Sequence, residues 1–93
     1  MVAPKIKMKA ILHKEFGGPE VLLVTNDVEI PQIEKNEVLI QVHAAGINRP
    51  DILQRSGGYP PPPGASEILG LEVSWEIVDV GEDVNKNLLN TKV

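Results

Sequence analysis

The rest of the chain is organised around residues Val42 to Glu72, VHAAGINRPDILQRSGGYPPPPGASEILGLE. The stretch leaves an apolar segment, and Asn48 then offers an N-cap with Pro50 in the first turn of a short helix. The pair Gly57-Gly58 ends that helix, because glycine readily adopts the left-handed conformation of a helix C-terminus. A stiff Gly/Pro loop follows, and the chain enters a further strand at Leu71-Glu72. Since rigid elements hold the loops between them in place, reactive groups are expected in this stretch.

Outward from this stretch, strand patterns dominate the chain, and only one short helix is predicted, near residues 49–56. The clearest strand is Glu37 to Ala45, whose apolar residues alternate along one face. Other strand-rich segments are Ile6–His13, Val21–Val24, Val28–Ile30 after a break at Asn26-Asp27, and Leu69–Val80. The pattern predicts a mainly β fold, a small irregular β-barrel or sandwich.

Composition excludes several classes of protein. The 93 residues make one small domain at most, and no segment is long and apolar enough to span a membrane. The absence of cysteine excludes disulfides and cysteine-ligated zinc and fits a reducing compartment, so we expect a cytoplasmic protein. A net charge of −4 argues against a nucleic-acid partner. The acidic run over 67–83 contains no basic residue and indicates either a solvated face or a docking patch.

Nucleotide and metal sites are not indicated by the motifs. No glycines form G-x-G-x-x-G, and there is no Walker pattern, so the sequence holds no recognisable phosphate cradle. The two histidines, His13 and His43, lie on separate predicted strands. Isolated imidazoles are more often surface groups than metal ligands, so we predict no metal site.

Two carboxylates allow alternative interpretations. Asp51 and Glu72 could form an acid–base pair. Alternatively, Asp51 is a charge placed favourably at a helix start, and Glu72 is a strand residue paired with Arg49 or Arg55. The residue pattern leaves both interpretations open.

Tyr59 is the only tyrosine, and it precedes Pro60-Pro61-Pro62-Pro63. Consecutive prolines hold an extended polyproline conformation of about 3.1 Å per residue, so the phenol sits on a stiff strut. A neutral phenol there can donate a hydrogen bond to a carbonyl. Alternatively, Tyr59 only packs on the prolines, or the loop is itself a ligand for an SH3 or WW domain.

Several motifs in order resemble the zinc-free, zeta-crystallin-like quinone oxidoreductases, a branch of the medium-chain dehydrogenase/reductases. They are Met8-Lys9-Ala10-Ile11, Phe16-Gly17-Gly18-Pro19-Glu20-Val21-Leu22, Glu37-Val38-Leu39-Ile40-Gln41-Val42, His43-Ala44-Ala45-Gly46-Ile47-Asn48-Arg49-Pro50-Asp51, Tyr59-Pro60-Pro61-Pro62-Pro63-Gly64-Ala65-Ser66 and Leu69-Gly70-Leu71-Glu72-Val73. The similarity runs nearly continuously from Met8 to about Asp83.

The resemblance implies a GroES-like N-terminal β-barrel, incomplete over residues 1–93, with the Rossmann nucleotide-binding domain absent. It implies hydride transfer from NADPH to a quinone or enone in the intact enzyme. Asn48 would lie near the cofactor, Tyr59 would be catalytic and bind the substrate carbonyl, and Gln54 and Leu71 would line the substrate site. Zinc-dependent relatives carry Cys and His at the positions of Asn48 and Leu71, so no metal is implied.

Departures from the family pattern define the remaining expectations. Trp75 stands where the family usually has a small residue, commonly glycine, inside a tightly packed strand, and we expect overpacking that costs about 1–3 kcal/mol unless the strand shifts. Asn90-Thr91 replaces a Gly-Asp turn, and the sequence stops at Val93. We therefore expect a truncated chain, inactive in isolation, whose unpaired strand edges favour self-association or a homo-oligomer.

Two alternatives to a reductase segment stay open. The chain could be a non-catalytic interaction domain that uses Tyr59–Pro63 or the acidic 67–83 face to bind a protein partner. It could equally be a gene-model fragment without a function of its own.

Overall fold

Strands form most of the regular structure in the computed structural model, which describes residues 7–93. In chain order the elements are β1 (Lys7–His13), a 3-10 turn (Pro19–Val21), β2 (Leu22–Glu29), β3 (Val38–Ala45), α1 (Arg49–Ser56), β4 (Val73–Val80) and a second 3-10 turn (Lys86–Leu88). The mainly β fold class and the short helix near 49–56 are confirmed. Ile6, where the first strand was predicted to begin, lies outside the described residues. Within the described part, no helix is long and apolar enough to cross a membrane.

The described chain divides into two compact units, each built around one two-stranded antiparallel sheet. The first unit comprises residues 7–30 and 47–71 and contains β1, β2 and α1. The second comprises 31–46 and 72–93 and contains β3 and β4. The four predicted site residues belong to the first unit.

In the first unit, the sheet of β1 and β2 contains a bulge where a break was predicted. Met8 pairs with Val28, but Ala10 pairs with Thr25, so β2 carries one extra residue across Asn26-Asp27. A bulge takes up an extra residue without ending the pairing of two strands. The predicted break is therefore wrong, and β2 is continuous.

In the second unit, the last residues of the chain lie against β4. Trp75 and Val93 exchange two backbone hydrogen bonds, with N···O distances of 3.0 and 2.7 Å, and the Ile77 N–H donates to the Thr91 carbonyl at 2.9 Å. Ile77 is 3% exposed and is the one buried hydrophobic side chain within residues 7–93. The tail, which gave no strong signal in the sequence, thus covers the strand that holds the buried side chain.

Trp75 is not packed into a tight interior as the sequence led us to expect. It is 37% exposed and has φ of 143°, a conformation that bulky residues rarely adopt. A register shift between Val42 and Ala44 lies opposite it, so the strands do shift at this point. The His43 ring lies 4.7 Å from the Trp75 ring, and Lys92 Nζ lies 4.3 Å from the indole centroid. The left-handed φ is one that glycine adopts readily, which is a physical reason for the small residue that the resemblance leads us to expect here.

Candidate functional site

Asn48, the predicted cofactor-side residue, is fixed at the start of α1 by hydrogen bonds of its backbone. Its N–H donates to Asp51 Oδ2 at 2.9 Å, and its carbonyl oxygen accepts from the Asp51 N–H at 3.0 Å. The carboxylate therefore satisfies the N-cap N–H as in a capping box, close to the positive end of the helix dipole. Asn48 itself is half-buried and has an extended backbone, with φ −130° and ψ 161°.

Asp51 is buried, which its sequence context did not indicate. Only 8% of the residue is exposed, and Oδ1 is buried without a hydrogen-bond partner in the described residues. The position agrees with the interpretation of Asp51 as a helix-start charge. Glu72, the other member of the hypothetical carboxylate pair, belongs to the second unit. A buried carboxylate with one unsatisfied oxygen is costly, so Asp51 is a residue whose environment calls for an explanation.

Gln54 is the second buried polar residue of α1, also 8% exposed. Its Nε2 donates to the Glu67 carbonyl oxygen at 3.1 Å. The amide therefore joins the helix to the chain beyond the proline loop. The predicted role of Gln54 as a substrate-site wall remains a prediction, and the loop contact is a role that sequence reasoning missed.

Tyr59 follows the helix C-terminus and is 48% exposed. The helix ends in a Schellman arrangement, in which the Gly57 N–H bonds the Gln54 carbonyl at 3.1 Å and the Gly58 N–H bonds the Leu53 carbonyl at 2.8 Å. Farther along the loop, the Ala65 N–H donates to the Pro62 carbonyl at 3.0 Å. Turns therefore bound the Tyr59 loop on both sides and leave the phenol accessible.

Leu71, the remaining predicted wall residue, is exposed and follows Gly70, which has φ of 125°. No hydrogen bond links any two of the four predicted site residues in the part of the chain that the structure describes. The structure thus places Asn48 at the N-cap of α1, Gln54 within α1, and Tyr59 and Leu71 on exposed segments that follow the helix. Their roles stay predictions.

Arg55 has a partner that the sequence did not predict. Its Nε donates to the Gly17 carbonyl at 3.1 Å, and the Gly17 N–H donates to the Arg55 carbonyl at 3.1 Å. Together they tie the turn after β1 to the last turn of α1. Arg49 and Arg55 belong to the first unit and Glu72 to the second, so their ion pair, one of the alternatives from the sequence, stays a prediction.

The two histidines lie in different units. His13 Nδ1 donates to the Glu15 carbonyl at 3.1 Å, whereas His43 stacks on Trp75. Groups of three or more potential metal ligands do not form among residues 7–93. The acidic residues of 67–83 are divided between the two units, and no ion pair among the described residues involves them.

Comparison with known proteins establishes the family. The alcohol dehydrogenase GroES-like domain matches residues 34–93. The chain belongs to this family. This GroES-like chain is 46% identical over 78 residues to the quinone oxidoreductase of Lama guanicoe, a match that covers 84% of the chain and 24% of the relative. The predicted resemblance to quinone oxidoreductases is thus confirmed.

Two further relatives of the GroES-like chain agree with this. The chloroplastic NADPH-dependent alkenal/one oxidoreductase of Arabidopsis thaliana is 32% identical over 79 residues, covering 84% of the chain and 20% of the relative. The structure of the quinone oxidoreductase from Coxiella burnetii superposes with a TM-score of 0.78 at 35% identity, covering 92% of the chain and 28% of that protein. The chain therefore spans about a quarter of the length of the relatives it matches, and these relatives are oxidoreductases.

Proposed function

We propose that this GroES-like chain is the N-terminal part of an oxidoreductase that transfers hydride from NADPH to a quinone or an enone without a metal. The observation that carries the proposal is the 46% identity with a quinone oxidoreductase over 78 residues. Asn48 and Leu71 stand where zinc-dependent relatives carry Cys and His, which supports a metal-free reaction. The absence of cysteine supports a reducing, cytoplasmic compartment.

Tyr59 is proposed as the group that polarises the substrate. Its phenol is accessible and lies on a loop closed by turns. It donates a hydrogen bond to the substrate carbonyl oxygen, where negative charge develops during reduction. Leu71 forms an apolar wall. Gln54 supports the substrate site from a buried position, because its hydrogen bond to Glu67 holds the far end of the Tyr59 loop.

Asn48 is proposed to face the nicotinamide end of the cofactor. The neutral side-chain amide of Asn48 can form a hydrogen bond with the carboxamide group of the nicotinamide. Asp51 holds the backbone of Asn48 in place. NADPH, when bound, supplies the hydride, and a proton from water completes the reduced product. The phosphates require a cradle that these 93 residues lack, since no G-x-G-x-x-G is present. We therefore propose that a Rossmann domain is needed and that the isolated chain binds NADPH weakly and does not turn over.

A chimera tests the proposal. Residues of this chain replace the matching N-terminal segment of the Arabidopsis thaliana NADPH-dependent alkenal/one oxidoreductase, and NADPH oxidation is followed with an enone and with a quinone. We expect turnover, and Tyr59→Phe is expected to lower kcat/KM about 10- to 100-fold through loss of one charge-assisted hydrogen bond. A folded chimera that binds NADPH but reduces neither substrate would refute the assignment. Turnover by the 93-residue chain alone would refute the need for a second domain.

A second candidate is a non-catalytic interaction domain, and the exposure of the loop favours it. Pro60, Pro62 and Pro63 are exposed beside Tyr59, as recognition by SH3 or WW domains requires. A pull-down with such domains tests it, and Tyr59→Phe with a doubled Pro60→Ala/Pro63→Ala variant shows whether the loop is the ligand. The acidic residues of 72–83, which all belong to the second unit, are the other candidate contact for a protein partner in this hypothesis.

Self-association is proposed as a property of the isolated chain. Ile11 and Val24 are paired across β1 and β2 and are 48% and 63% exposed, next to strand edges that have no partner within the first unit. Light scattering coupled to size exclusion tests this. A strictly monomeric chain at high concentration would exclude it.

A further inference from the structure

The ends of β3 and β4 line an open cavity that none of the catalytic roles proposed above uses. It measures about 380 Å³, and its lining is made of small residues, one valine and one carboxylate: Ala44, Ala45, Gly46, Glu72, Val73 and Ser74. The register pairs Ala44 with Ser74 and Ala45 with Val73, and the Gly46 N–H extends the ladder by donating to the Glu72 carbonyl at 3.2 Å. All six residues belong to the second unit, so one locally paired segment builds the whole cavity.

The side chain of Glu72 lies over the backbone of Gly46 at this cavity. A Cβ atom added at Gly46 would overlap Oε1 of Glu72, so the side chain lies folded over the glycine backbone. Glycine is therefore required here for the carboxylate to occupy this place. Glu72 forms neither an ion pair nor a side-chain hydrogen bond within residues 7–93. An exposed carboxylate thus has free acceptor capacity beside small residues of the same cavity.

This arrangement selects its ligand by hydrogen-bond polarity. A carboxylate only accepts hydrogen bonds, and a quinone carbonyl also only accepts them, so the oxidised ring has nothing to offer Glu72. The hydroxyl of a hydroquinone donates, and a hydrogen bond to a charged acceptor is among the stronger ones. Ala44, Ala45 and Gly46 lack bulky side chains, so a flat ring can approach the backbone closely.

We propose that Glu72 and the small residues Ala44–Gly46 bind the phenolic hydroquinone that quinone reduction produces, with a product hydroxyl donating to the Glu72 carboxylate. This inference rests on the proposed function for its biological meaning. The site itself rests on the cavity and on the placement of Glu72. It separates reduced from oxidised ligand and gives the product a place of its own in the second unit.

The test is a titration of the full 93-residue chain with hydroquinone, benzene-1,4-diol, under anaerobic conditions and without NADPH. Backbone amide NMR shifts are expected to change at Ala44–Gly46, Val73 and Ser74 and to saturate. Glu72→Gln is expected to raise the Kd about tenfold, since a neutral amide oxygen replaces the charged acceptor. Glu82→Gln, which makes the same charge change at an exposed residue outside the cavity, is expected to leave the Kd unchanged.

Further arms keep the outcome decisive. Ala45→Leu fills the cavity at an exposed position while keeping the carboxylate and is expected to block binding. A ring without hydrogen-bond donors, 1,4-dimethoxybenzene, is also titrated into the wild-type chain. Its Kd is expected to be at least as high as the Kd of hydroquinone for Glu72→Gln. The inference is overturned if Glu72→Gln binds hydroquinone like the wild type, or if the dimethoxy ring binds as tightly as hydroquinone. It is also overturned if methylammonium, a small cation without a ring, shifts the same amide signals as strongly, because the carboxylate would then bind any cation. Because NADPH is absent, a failure here leaves the proposed reductase activity standing, and failure of the chimera leaves this binding result intact.

Discussion

The side-chain amide of Gln54 donates a hydrogen bond from Nε2 to the backbone carbonyl oxygen of Glu67 at 3.1 Å. The two residues bracket the loop that carries Tyr59, so this one bond links α1 to the far end of that loop. Gln54 is buried, so water does not readily replace the bond when it is lost. The placement of the loop therefore depends in part on a single amide.

Replacing Gln54 by Glu is predicted to destabilise the chain. The substitution keeps the shape, removes the donor and places a carboxylate against the Glu67 carbonyl in a buried position. The expected loss in free energy of unfolding is about 1–3 kcal/mol. Urea denaturation measures it, with Gln32→Glu at an exposed loop position as the control, expected within about 0.5 kcal/mol of wild type. Equal losses in the two variants would show that the Gln54–Glu67 bond contributes little.

Asp51 is predicted to stabilise the start of α1 through the Asn48 N–H. Asp51→Ala removes that acceptor and is expected to cost about 1–2 kcal/mol of unfolding free energy. Asp51→Asn keeps one acceptor oxygen and removes the negative charge of a carboxylate whose other oxygen is buried without a partner. The expected loss in unfolding free energy is therefore clearly smaller for Asn than for Ala. Both are measured by urea denaturation beside Asp83→Ala, an exposed aspartate whose loss is expected to be near neutral. An Asn variant as unstable as the Ala variant would mean that the charge itself is needed.

The caps of α1 could be predicted from the sequence, whereas its buried face could not. Asn48 with Pro50, and Gly57 with Gly58, are local signals that act within one helical turn. The buried residues are Asp51 and Gln54, while Ile52 and Leu53 are 40% and 38% exposed. Hydrophobic patterning alone would bury Ile52 and Leu53 and expose Asp51 and Gln54, the reverse of what the structure shows.

The reason is that the partners of the two buried polar residues are backbone groups. One of them, the Glu67 carbonyl, lies thirteen residues beyond Gln54 along the chain. No local pattern encodes such a contact. The same holds for the bulge in β2 and for the tail on β4, both of which depend on pairing between distant segments. Tyr59 was a candidate hydrogen-bond donor from the residues alone, whereas Asn48 entered the site, and both received their specific roles, through family resemblance.

Gly57 and its neighbour Gly58 provide a matched test of the helix C-terminus. Gly57 has φ of 95°, and a Cβ there would lie 3.1 Å from ring atoms of Phe16. The nearest atom to a Cβ at Gly58 is the Leu53 carbonyl oxygen at 3.7 Å, an ordinary contact. Gly57→Ala is therefore expected to lower the unfolding free energy by about 1–2 kcal/mol, and Gly58→Ala to change it little or raise it by about 0.4–1 kcal/mol. Thermal and urea unfolding check both, and a reversed order would contradict the Schellman geometry.

At position 75, glycine is predicted to give a more stable chain than alanine, which reverses their usual order of stability in a strand. Glycine in a strand interior is normally less stable than alanine by about 0.5–1 kcal/mol. At φ of 143° alanine keeps the backbone strain that glycine relieves, and such strain is of order 1–3 kcal/mol. Both substitutions lose the same contacts with His43 and Lys92, so their difference isolates the strain. We expect Trp75→Gly to be more stable than Trp75→Ala by about 1 kcal/mol in urea denaturation followed by circular dichroism.

The control pair, Val73→Gly and Val73→Ala on the same strand, is expected to keep the ordinary order of stability, because φ of Val73 is not positive. If alanine is the more stable residue at both positions, the backbone at Trp75 is not strained and the physical reason given for a small residue at this position is wrong.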